Sequence, residues 1–135
     1  MDRRPGAFRL LRQAAGRTGF AEVRVEIGWN GVVQRGVVWE VDPLDDTAVQ
    51  PERQPELAKA AVEGATLGLG IIAGMGLDVA ACTVHLRWVG MNVVDTEATA
   101  MRAAACAATA DAFDLLDRFE ISRDAQGWRC EPTRQ

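Results

Sequence analysis

The chain has 135 residues, 48% hydrophobic and 25% charged, which suits one ordinary globular domain able to bury its own core. The net charge is −4, unevenly spread: residues 1–17 hold five arginines against Asp2 (+4), leaving 10 basic and 18 acidic residues (−8) elsewhere. So acidic a body is excluded as a general phosphate binder unless the N-terminal arginines supply the contacts, and no charge-free run of about 18 apolar residues suggests a membrane span.

Residues 1–20 read as a basic arm, with Arg3, Arg4, Arg9, Arg12 and Arg17. Pro5 can start a short helix whose face would carry Phe8, Leu10, Leu11 and Ala14, and Gly16 and Gly19 would end it. No apolar leader with a small-residue cleavage site follows the arginines, which points to the cytoplasm. Val23, Val25 and Ile27 alternate with Arg24 and Glu26, a half-buried strand. Trp29-Asn30-Gly31 then suits a hairpin turn, and Val37, Trp39 and Val41 suit an antiparallel return strand. The stretch from Asp42 to Pro55 holds three prolines and several acids, and reads as a mobile surface loop.

A helix is expected from Pro55 to about Gly76, with Leu57, Ala61, Gly64, Ala65, Gly68, Leu69 and Ile72 on one face. Gly64, Gly68 and Gly70 each weaken a helix by about 1 kcal/mol, so something should approach closely there. Val79–Val89 reads as a strand with Val84, Leu86 and Trp88 on one side. Asp95 or Thr96 can cap a second helix, Ala98–Leu116, whose inner face would be Ala100, Ala104, Ala107, Ala108 and Leu115. Asp111, Asp114 and Asp117 would form its wet side. A short strand is expected at Phe119–Ser122; the C-terminal tail is taken as residues 122–135, of which 123–135 read as loosely held. Cys82, Cys106 and Cys130 are too widely spaced for a disulfide framework or a zinc motif, and read as buried thiols.

Several of these residues resemble domain IV of elongation factor G and of the tetracycline-resistance ribosomal protection proteins. Met91-Asn92-Val93-Val94-Asp95-Thr96-Glu97-Ala98 is similar to the family's Tyr-His-Asp-Val-Asp-Ser-Ser-Glu loop before the second helix. Gly76-Leu77-Asp78-Val79 resembles its Gly-Tyr-Pro-Val strand lead-in, Glu63-Gly64 its late-helix Glu-Gly, and Pro43-Leu44 its strand-ending Pro-Leu. Asp78-Val79-Ala80-Ala81-Cys82 is similar to the strand start of the protection proteins. The resemblance covers roughly residues 21–118, and residues 21–121 are taken as the domain body. It implies an α+β fold like domain 2 of ribosomal protein S5. That is a small three- to four-stranded sheet with two helices on one face and a left-handed βαβ crossover, a hand that physics alone would not choose. The family's glycine- and arginine-rich first tip loop is matched to Trp29-Asn30-Gly31-Val32, and Asn92 stands where the family has a tip histidine.

The resemblance implies a translation-factor tip-like domain standing alone, which binds the ribosome or RNA without catalysis. Arg3, Arg4, Arg9, Arg12 and Arg17 would neutralise phosphates, while Trp29, Asn30, Met91 and Asn92 would meet the partner at the tip. No Gly-x-x-x-x-Gly-Lys-Ser/Thr loop is present, so neither GTPase chemistry nor nucleotide binding is expected, and no cofactor is implied. The alternative is a protein-interaction or self-associating domain, such as a homodimer, that has lost the RNA role. A third reading is a small enzyme on the same fold, using His85, the lone histidine, beside Arg87. Asp45-Asp46 and Asp111/Asp114 read as solvated acids rather than a metal site.

Overall fold

The computed structural model describes residues 3–14, 16–29 and 36–133. Two long strands open the chain, β1 (Arg4–Ala14) and β2 (Arg17–Trp29), paired antiparallel from Arg4 opposite Ile27 to Ala14 opposite Arg17. The helix expected here is thus a strand, and the supposed arm is the edge of the sheet. Side-chain parity explains the correction. Gly6 and Leu10 are buried and Phe8 half-buried, while Ala7, Arg9 and Leu11 are exposed, a period of two. In β2, Ala21, Val23, Val25 and Ile27 turn inward as their alternation requires.

The expected hairpin between the next two strands does not form. Strand β4 (Cys82–Gly90) lies between β2 and β3 (Gly36–Trp39), antiparallel to the first and parallel to the second. The order is β1-β2-β4-β3. Asn30-Gly31, the expected turn, falls outside the described residues. The loop expected to be mobile is pinned instead. The Val49 N–H donates to the Val89 carbonyl (2.7 Å). Buried Gln50 donates from Nε2 to the carbonyls of Asp42 (2.8 Å) and Asp45 (2.9 Å).

The crossover from β3 to β4 carries α1 (Pro55–Gly74), which packs on α2 (Ala98–Ala112). Two of its glycines have the anticipated reason: a Cβ at Gly64 would overlap the Arg102 carbonyl, and one at Gly68 would lie 3.0 Å from the Cys106 carbonyl. Gly70 faces open space, against expectation. Although it carries charges, α1 is long and apolar enough to cross a membrane by length and composition, with a mean hydropathy of 1.3. Its seam with α2 accounts for that small, apolar composition.

Helix α2 is surrounded. From Ala100 to Ala110 only Arg102 is exposed, so the expected narrow inner face is nearly the whole helix. It begins after Glu97 rather than Asp95 or Thr96, and stops at Ala112, four residues short of Leu116. Asp111, expected on a wet side, accepts a hydrogen bond from the Ala7 N–H (2.9 Å) on the sheet edge. The tail is likewise ordered. Strands β5 (Phe119–Asp124) and β6 (Gly127–Pro132) form a second, two-stranded antiparallel sheet against α2. Trp128 is 1% exposed; its ring lies against Gly19 and its backbone N–H donates to Thr99 Oγ1 (3.1 Å). Arg123 pairs with Glu97 (3.2 Å), fixing the hairpin to the start of α2. The architecture is α+β: a mixed four-stranded sheet, two helices on one face, and an added two-stranded sheet.

Candidate functional site

The sheet face away from the helices is open, and its two ends differ. Near the start of β4, Glu40 collects three cationic or polar partners. Arg3 Nη1 (3.0 Å) and Arg87 Nη1 (3.1 Å) donate to Oε1, and His85 Nδ1 lies 2.6 Å from Oε2. Glu26 adds contacts to Arg3 (3.3 Å) and Arg87 (4.0 Å). Burial pushes the Glu40 carboxyl up, but the hydrogen bonds from Arg3, His85 and Arg87 outweigh it and hold its pKa at about 2. The ionised carboxylate only accepts, so His85 donates through Nδ1. Its Nε2 points at the backbone of Gly28, where an added Cβ would be 3.2 Å away. The grooves beside Arg87 are lined by other residues and do not include His85. Arg3, His85 and Arg87 share the one carboxylate of Glu40, and His85 Nε2 lies against Gly28 rather than in either groove.

A bulge shapes the other end. Val25 pairs with Leu86 but Arg24 pairs with Trp88, which leaves Arg87 as the extra residue. Trp88 therefore turns to the open face, contrary to expectation, and Val89 joins Val84 and Leu86 inside. The Arg24 guanidinium lies 4.6 Å from the Trp88 ring centre, and Arg9 lies 5.7 Å from that of Phe20. Beyond Gly90 the chain forms a tightly bonded loop. Asn92 Oδ1 accepts from the Val94 N–H (2.9 Å), and the Asn92 N–H donates to Thr96 Oγ1 (2.7 Å). The Thr96 hydroxyl donates to the Phe20 carbonyl (2.8 Å), and the Phe20 N–H donates to the Asp95 carbonyl (3.1 Å). These bonds fasten the loop to the start of β2, beside the β1–β2 turn. Val93 and Val94 are left 88% and 87% exposed.

The residues expected to share one tip are therefore divided. Met91 and Asn92 follow Gly90, which pairs with Glu22, whereas Trp29 pairs with Cys82. Seven residues of β2 separate the two places, about 23 Å at strand spacing. Trp29 packs edge-on against Phe113 (6.0 Å between ring centres), so its aromatic surface serves the interior. Asn30 lies outside the described residues. The turn that does stand beside the 91–97 loop contains Gly16, at φ +76°, and Arg17. The arginines are also dispersed. Arg3 and Arg4 lie at the Trp29 end, Arg9 on the open face, and Arg12 donates to the Ile121 carbonyl (3.2 Å). Sequence reasoning missed Glu40, Phe20 and the two valines as organising or presented residues. Val93-Val94 was legible in principle as an apolar pair inside a polar loop. Among the described residues, no group of three or more His, Cys, Asp or Glu is placed to hold a metal ion.

No family model and no curated protein matches the sequence. Among solved structures, the crystal structure of a protein from Thermus thermophilus is similar over 81% of this chain, with a TM-score of 0.55 and 14% identity. The chain spans 15% of the length of that protein, and the likeness is one of fold.

Proposed function

We propose that this chain is a non-catalytic relative of elongation factor G domain IV, with the fold of ribosomal protein S5 domain 2, and that it binds the ribosome or its RNA. On this reading the crossover through α1 is left-handed, and the partner meets the end of the sheet formed by the β1–β2 turn and residues 91–97. One observation carries the proposal: a loop braced by five hydrogen bonds holds Val93 and Val94 almost wholly in solvent. Bracing lowers the cost of ordering a contact loop on binding. Arg17, the first residue of β2, adds a positive charge that phosphate would favour.

The test is co-sedimentation of the full chain with ribosomes across a salt series, beside Arg17→Glu and Val94→Asp. Removing residues 1–17 would not serve, because it deletes β1. Pelleting that weakens with salt and with either substitution supports the proposal. Absence of pelleting at every salt concentration overturns it. The same two exposed valines also suit self-association or a protein partner. A dimer in sedimentation velocity that Val94→Asp converts to monomer, without ribosome binding, would decide for that second reading.

A further inference from the structure

Two of the three cysteines meet across the boundary between the helical layer and the second sheet. Cys106 is on α2 and Cys130 on β6, 0% and 5% exposed. The approach follows from register. The Trp128 backbone N–H is bonded to Thr99 Oγ1, which fixes β6 along α2. Residues 99, 103 and 106 share one helix face, and residues 128 and 130 share one strand face. In agreement, Trp128 and Cys130 are buried while Arg129 between them is exposed. The neighbouring Cys130, together with burial, holds the Cys106 thiol well above the ordinary range. Cys82 is apart, on β4 opposite Trp29.

Cys130 also lines a groove of about 350 Å³ with Glu63, Leu67, Arg102 and Ala103, between the two helices and β6. One thiol of the pair thus borders solvent and the other lies behind it. We propose that Cys106 and Cys130 are a modification site: a dithiol that closes reversibly to a disulfide and locks the β5–β6 hairpin onto α2. With glutathione disulfide as oxidant, the Cys130 thiolate attacks one of its sulfurs and releases one glutathione thiolate. The Cys106 thiolate then attacks Cys130 Sγ in the mixed disulfide and releases the second. Two protein thiols are oxidised, one glutathione disulfide is reduced to two thiols, and two protons leave. Because the reacting form is the thiolate, closure is slow at neutral pH and quickens as pH rises.

The experiment treats the folded full chain with glutathione disulfide, then reads intact mass, free thiols and thermal midpoint. The expected product is about 2 Da lighter, because one intramolecular disulfide has formed. Free thiols fall from three to one, residues 106 and 130 share one linked peptide, and the midpoint rises by about 5 °C or more. Dithiothreitol should reverse all four changes. Cys82→Ser should behave as the parent, and Cys130→Ser should give no mass loss. Three free thiols in the folded protein, when a urea-unfolded sample oxidises, would overturn the proposal. So would a stable glutathione adduct on Cys130, or a crosslink through Cys82.

Discussion

The two ends of the open sheet face hold similar amounts of polar chemistry and use it differently. At the Trp29 end, Arg3, Arg87, His85, Glu26 and Glu40 bond to one another, and the bonding capacity of Glu40 is spent within the fold. At the Gly90 end, Asn92 and Thr96 bond only to shape a loop, and what that loop presents is apolar and unspent. The residues that look most like chemistry are bonded to one another, and the surface left most exposed is the one with the least chemistry. A histidine touching a carboxylate marks function only when another atom of the pair can reach a substrate.

The largest effect expected from this contrast is at the loop. Val94→Asp should lower ribosome co-sedimentation at least tenfold, about 1.4 kcal/mol, with an unchanged thermal midpoint because the side chain touches little of its own chain. An equal loss from Glu40→Gln, measured in the same assay, would reverse the assignment of the two ends.

Glu40→Gln should instead cost stability, about 1 kcal/mol for so exposed a network, or about 4 °C in midpoint. Its pH dependence has a definite sign. The folded carboxyl titrates at about 2 against an ordinary 4.5, so its contribution is complete above pH 4.5 and is lost as pH falls toward 2. The stability difference between parent and Glu40→Gln, measured by denaturant midpoints, should shrink across that window. A constant difference would mean that the three partners do not act through the charge.

Asn92→Ala comes next. It removes the acceptor for the Val94 N–H in a solvent-exposed loop and should cost about 0.5 kcal/mol by denaturant midpoint. The loss of partner binding should exceed that of stability, because a loosened loop has more freedom to surrender.

Much of the fold was legible in the sequence. Pro55 and the small-residue stripe located α1, and alternation located the cores of β2 and β4. Errors arose where local rules competed with distant partners. Phe8, Leu10, Leu11 and Ala14 fit a helical face, but Gly6 and Leu10 against Ala7 and Arg9 also fit a strand, and β2 decided between them. Asn30-Gly31 favoured a local hairpin, yet β3 pairs with β4, more than 40 residues on. The tail read as loosely held, although Trp128 and Cys130 alternating with Arg129 and Glu131 carried a strand signal. The site was less legible, because the separation of about 23 Å between Trp29 and Met91 depends on strand direction, and that depends on pairing.

The smallest effect tests whether the Trp29 end acts as one unit. Arg87 is half-exposed, gives one hydrogen bond to Glu40, and shares that duty with Arg3. Arg87→Ala alone should cost only about 0.3 kcal/mol, and Arg3→Ala should move the denaturant midpoint little, because either arginine still neutralises the carboxylate. Removing both leaves Glu40 with His85 alone, so the double substitution should lower the denaturant midpoint by more than the two singles together. That excess should fade in high salt, which screens the remaining charges. Strict additivity, measured by denaturant midpoints of all four proteins, would reduce the cluster to independent surface pairs. Glu40 would then no longer differ in kind from the solvated acids elsewhere on the chain.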